Sequence, residues 1–109
     1  MNAEVDKLAQ LRALRDGPRD GALLRVSIAN VLLSRGEDAA AIEELRAALA
    51  FDPDYSVAWK LLAKSLTSTG AVDGACEAYR SGIAAAMRRG DKQAEKEMTV
   101  FLRRLEKTR

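Results

Sequence analysis

Histidine is missing from this chain of 109 residues, and cysteine occurs once, at Cys76. Without histidine the protein lacks the commonest general base and the commonest metal ligand at neutral pH, and no side chain of ordinary pKa titrates between roughly pH 6 and 8. One cysteine allows no intramolecular disulfide. It also has no histidine to activate it as a nucleophile, so Cys76 reads as a buried structural residue. Proline is confined to Pro18 and Pro53, and aromatics make up 5% of the chain. Packing must therefore rest on leucine, alanine and a few anchors such as Tyr55, Trp59, Tyr79 and Phe101. No stretch approaches the roughly 20 apolar residues of a membrane span. The opening Met-Asn-Ala-Glu-Val-Asp-Lys is polar, without the apolar centre of a signal peptide, so a cytoplasmic location with no membrane partner is expected. Neither familiar glycine-rich phosphate loop is present. Carboxylate pairs occur at Glu43-Glu44 and Glu95/Glu97, where they read as solvation on exposed helical positions. No enzyme, cofactor or metal is expected.

What the chain does contain is helix-forming residues, chiefly alanine, leucine, arginine and glutamate, and charge that is unevenly placed. Residues 1–54 hold seven basic and ten acidic side chains, a net of −3, and residues 55–109 hold eleven and six, a net of +5. The basic second half favours an acidic partner. Nucleic acid is a weaker match. The basic run from Arg88 to Arg109 is interrupted by Asp91, Glu95, Glu97 and Glu106, and it lacks the interleaved exposed aromatics on which single strands stack.

Sliding the chain by 34 residues superposes it on itself. Ile28-Ala29 falls on Leu62-Ala63, Leu32 on Leu66, Gly36 on Gly70, Ala41 on Ala75, Leu45 on Tyr79 and Leu49 on Ile83. Each unit reads as two helices. Ile28, Val31 and Leu32 share one helical face. Gly36 offers the left-handed residue that ends a helix, and Asp38 is expected to cap the next one. Ala41, Ile42, Leu45, Ala48 and Leu49 resume helical spacing, and Pro53 closes the unit. The second unit repeats the plan, with Trp59, Leu62, Ala63 and Leu66 inward, a break at Gly70, and then Ala75, Cys76, Tyr79 and Ile83.

These residues resemble the tetratricopeptide repeat, whose pattern is Trp-x2-Leu-Gly-x2-Tyr, a glycine turn, Ala-x3-Phe, a small residue and a proline. The second unit supplies Trp59, Leu62, Ala63, Leu66, Gly70, Ala75 and Tyr79. The first supplies Ile28, Ala29, Leu32, Gly36, Ala41, Leu45, Ala48 and Pro53. Two departures stand out. Arg25 occupies a place where the family prefers an aromatic, and Gly82 sits at the late small position, where glycine costs about 1 kcal/mol relative to alanine. The resemblance implies an all-α fold of about six helices, antiparallel pairs stacked as a short right-handed superhelix. One domain over 1–109 is expected, with an N-terminal helix in 1–17, repeats in 22–55 and 56–90, and a capping helix in 91–109.

Both ends of such a stack need covering. Val5, Leu8, Leu11 and Leu14 place one apolar side on a helix from Ala3 to Arg15, which Asp16-Gly17-Pro18 would close. Asp91 is a candidate N-cap for the last helix. There Met98, Phe101, Leu102 and Leu105 repeat the spacing of Trp59, Leu62, Ala63 and Leu66, but 39 residues later rather than 34. The intervening helix or loop must be about five residues longer, and Ala84 to Arg89 would supply the extra turn.

The resemblance further implies a concave groove lined by the first helix of each repeat, in which a peptide or helix of another protein binds. Leu23, Val26, Ser27, Asn30 and Leu33 would face it from the first repeat. Val57, Lys60, Leu61, Lys64 and Thr67 would do so from the second, and Lys96, Thr99, Val100 and Arg103 from the last helix. Such a surface would suit a segment bearing apolar anchors and acidic groups. Some relatives clamp a chaperone's C-terminal carboxylate with Lys, Asn and Arg. Asn30 and Lys96 match that set, but Val26, Leu61 and Val100 do not, so the clamp is not carried over. Self-association, or service as an accessory domain of a larger assembly, is the alternative reading.

Overall fold

A computed structural model describes residues 3–109, with side chains from Lys7 onward. Val5, expected on the covered side of the first helix, lies outside the described side chains. The described residues form six helices: α1 (Ala3–Arg12), α2 (Ala22–Ser34), α3 (Asp38–Phe51), α4 (Ser56–Ser68), α5 (Val72–Arg89) and α6 (Lys92–Glu106). The chain divides into two compact units, Met1–Asp52 and Pro53–Arg109. None of the helices in the described residues is long and apolar enough to cross a membrane.

Three helices stop in the same way. Gly36, Gly70 and Gly90 adopt φ of 74°, 85° and 70°, a region that costs glycine nothing because it has no Cβ. The residue after each glycine then donates its N–H back across the turn: Glu37 to Leu32 O, Ala71 to Leu66 O and Asp91 to Ala86 O, at 2.8–2.9 Å. Those bonds satisfy carbonyls that the helix end would otherwise leave without partners.

The starts differ from the sequence reading. Asp38 is already inside α3, and Glu37 holds the cap position without a side-chain capping bond. Asp38 acts through its charge in the first turn instead. Asp91 does cap α6, accepting the Ala94 N–H at 3.1 Å. Asp91→Ala is expected to cost about 1 kcal/mol, measurable as a lower urea midpoint, whereas Asp38→Ala should change it by less.

In the first unit, α2 packs against both α1 and α3. Ile28, Ala29, Leu32, Ala41, Leu45 and Ala48 are fully buried, and Leu8 covers them from α1. α1 ends at Arg12, earlier than expected, and a turn follows. There the left-handed residue is Asp16, at φ 66°, and not Gly17. The Asp20 carboxylate explains the turn, since it accepts the N–H groups of both Asp16 and Gly21.

In the second unit, α5 packs against α4 and α6 around Leu62, Ala63, Ala75, Cys76, Tyr79 and Met98. α5 has 18 residues against 14 in α3, but only two residues join it to α6 where four join α3 to α4, so α6 begins 36 residues after α4 and not the 39 read from Met98. Trp59, expected in the core, is only half-buried. Its indole N–H needs a partner and donates to Pro53 O at 2.7 Å, which keeps one ring edge at the surface.

Candidate interaction surfaces

The first unit contains a charged network that the sequence reading missed. Arg25 donates from Nε and Nη2 to the two oxygens of Asp20, each at 2.9 Å. Its Nη1 donates to Glu44 at 3.1 Å, and Arg15 donates to the other Glu44 oxygen at 2.9 Å. Glu44, expected to be exposed, is 6% exposed. The Arg25 guanidinium holds the Asp20 carboxyl far below the usual carboxylate range. One period on, Arg25 corresponds to Trp59, Asp20 to Asp54 and Glu44 to Ala78. An ion-paired arginine thus fills the aromatic's place, and the compensating signal was a glutamate where the second unit has alanine.

The groove residues of this unit separate. Leu23 is 70% exposed, whereas Val26, expected on the groove side, is 4% exposed. The reason is that α2 is covered on two sides, by α1 as well as α3, so more than one face of it is core. Leu33 is half-buried. Asn30 is exposed and lines a cavity of about 400 Å³ with Lys7, Leu11, Ser27, Val31 and Ser34.

In the second unit, α4 and α6 lie side by side. Lys60 of α4 pairs with Glu97 of α6, which also accepts from the Gln93 amide at 2.9 Å. The Lys60 ammonium and then that amide hold Glu97 below its usual range. Lys64 stands over the Phe101 ring, with Nζ 5.0 Å from the centroid. The Thr67 hydroxyl donates to Ala63 O and borders a hollow of about 230 Å³ with Tyr79, Phe101, Arg104, Leu105 and Thr108. Lys96 and Arg103 are exposed, but the α6 side chains that meet α4 are Glu97 and Phe101. Lys60 and Lys64 lie on the side of α4 turned toward α6, and their opposite-charge and aromatic partners were a usable signal.

Paired antiparallel helices, stopped by left-handed glycines at one period and carrying polar side chains on the outward turns of their first helices, define a helical-repeat protein. Comparison makes this specific. The tetratricopeptide-repeat model matches residues 22–65. A TPR repeat-containing protein of Pseudomonas aeruginosa is 47% identical over 90 residues, covering 83% of this chain and 86% of the relative. The solution structure of a Bordetella parapertussis protein superposes with a TM-score of 0.81 at 44% identity, covering 99% of this chain and 91% of that one. The crystal structure of the Sgt2 TPR domain from Aspergillus fumigatus gives a TM-score of 0.76 at 25% identity, with 96% and 67% covered. The chain belongs to the tetratricopeptide-repeat family, whose members are generally protein–protein interaction modules.

Proposed function

We propose that the chain binds a segment of another protein, extended or helical and bearing apolar and acidic residues, along α4 and α6 of the second unit. The observation that carries this reading is a mixed strip on those helices. Val57, Leu61 and Lys64 follow one another at four and three residues on α4, with Val57 47% exposed. On α6, which meets α4 through Glu97 and Phe101, Val100 is 45% exposed and Arg104 is exposed. Apolar side chains left in water gain from being covered, and the neighbouring cations favour partners of opposite charge and speed encounter.

Lys60 contributes less than the sequence suggested, because Glu97 already holds its ammonium. Lys64 is therefore the informative position. A partner captured by cross-linking in the cell of origin can be reduced to its binding segment and titrated into the isotope-labelled chain. Shifts are expected at Val57, Leu61, Lys64 and Val100. Lys64→Glu should weaken binding about tenfold at low salt and less at high salt, where charges are screened. A footprint confined to Glu43 and Arg46 of α3, or to Glu77 and Arg80 of α5, would overturn the reading.

A further inference from the structure

The hollow at the carboxyl ends of α4 and α6 is built unlike the rest of the surface. Its floor is the Tyr79 ring, 3% exposed, stacked on Phe101 at 5.9 Å between centroids and 19° between planes. Leu105 closes one side, and the walls are chiefly apolar. At about 230 Å³ it is smaller than the roughly 300–1,000 Å³ of small-molecule sites, which fits one large side chain rather than a metabolite. The rim is cationic. Arg104 lines the hollow, and Lys64 stands over the Phe101 ring that forms part of its wall. The carboxylates of α6 are engaged elsewhere: Glu95 with Lys92, Glu97 with Lys60 and Glu106 with Arg80. Among the described residues Arg104 has no ion-pair partner, and neither have Lys96, Arg103 and Lys107. The negative end of the α6 dipole accounts for cations in its last turn, but it does not account for an open apolar hollow beside them.

We propose that this hollow receives one bulky apolar side chain, leucine- or phenylalanine-sized, from a partner segment, and that Arg104 holds a carboxylate next to it. An arginine presents a planar fork of donors suited to a carboxylate, and an apolar anchor seated in a pocket is the usual centre of binding energy at an interface. The inference deepens the proposed function and rests on it, since it names the anchor the same face would take.

The test uses the full chain and a blocked Asp-Phe-Asp peptide, with an Asp-Ala-Asp twin and an Asn-Phe-Asn twin. Amide and ring shifts are expected at Thr67, Tyr79, Phe101 and Leu105 with the first peptide. The alanine twin should bind at least tenfold more weakly, and so should the asparagine twin at low salt. Arg104→Glu should abolish the difference between the aspartate and asparagine peptides while leaving the helical spectrum unchanged. Equal shifts from the alanine twin would mean charge attraction without an anchor and would overturn the proposal. So would shifts elsewhere, or sedimentation showing that a second copy of the chain fills the hollow. If Lys64→Glu weakens the cellular partner while Arg104→Glu and the peptides have no effect, this inference fails and the broader reading stands.

Discussion

Arg25→Ala is expected to lower stability by about 3–5 kcal/mol, the usual effect of removing one partner from a covered charge cluster. The Arg25 side chain is 15% exposed, and the Asp20 and Glu44 side chains it joins are 6% and 8% exposed. Removing the guanidinium leaves Glu44 with Arg15 alone and takes both side-chain bonds from Asp20. The second repeat supplies the remedy, because it places Trp59 and Ala78 at the matching positions. Arg25→Trp combined with Glu44→Ala should therefore be clearly more stable than Arg25→Ala, since an apolar replacement of a covered ion pair is often neutral.

The loss should also depend on pH. Asp20 has its folded pKa depressed by Arg25. Its contribution is complete above an unfolded pKa of about 4 and fades as pH falls below that toward the folded value. Wild type and Arg25→Ala should thus lie further apart at pH 7 than at pH 3. Urea melts at both pH values measure this without adding salt. A loss under about 1 kcal/mol at pH 7 would show that the cluster is solvated and does not take the aromatic's place.

The fold was legible because the repeat writes the same instruction twice. Gly36 and Gly70 stop helices at one period, and Ile28 with Leu62, Ala29 with Ala63 and Ala41 with Ala75 are buried as pairs. The longer α5 was legible only in direction, because the spacing of Met98 suggested five added residues where α6 begins two residues late. The interaction surfaces were less so. α2 is apolar on almost every side, and periodicity cannot divide such a helix into core and groove, so Val26 was placed on the wrong one. Glu43 and Glu44 are adjacent in sequence and alike in chemistry, and only the tertiary position of Arg25 separates them. On α6, Glu97 and not its neighbour Lys96 is the side chain that meets Lys60 of α4. A turn advances by 3.6 residues, so which neighbour meets α4 depends on the crossing of two helices rather than on either sequence.

Gly82 reverses the usual expectation for a glycine within a helix. Propensity alone says that alanine should gain about 1 kcal/mol there. A Cβ at Gly82, however, would lie 2.5 Å from Met98 Sδ and 2.7 Å from Trp59 Cβ. The Met98 side chain is fully buried, but its thioether is the flexible end of a side chain and can yield. The Trp59 Cβ is one bond from the backbone of α4, so it moves only if the helix moves. Adding the methyl therefore pushes α4 and α5 apart, and overpacking of this kind costs about 1–3 kcal/mol. Gly82→Ala should be destabilising by about 1 kcal/mol net, and Gly82→Val by about 3 kcal/mol, since its further methyls meet the same wall. Ala48 holds the matching place in the first unit, fully buried and as alanine, so the requirement comes from what surrounds Gly82. Met98→Ala should lessen the cost of Gly82→Ala without abolishing it, because the Trp59 contact remains. The same displacement would carry Lys64 away from Phe101 and register as a shift of the Phe101 ring signals. A Gly82→Ala variant more stable than wild type, with those signals unmoved, would show that the methyl is accommodated by Met98 without separating α4 and α5. The close approach of the two helices would then not be what fixes the face that α4 presents.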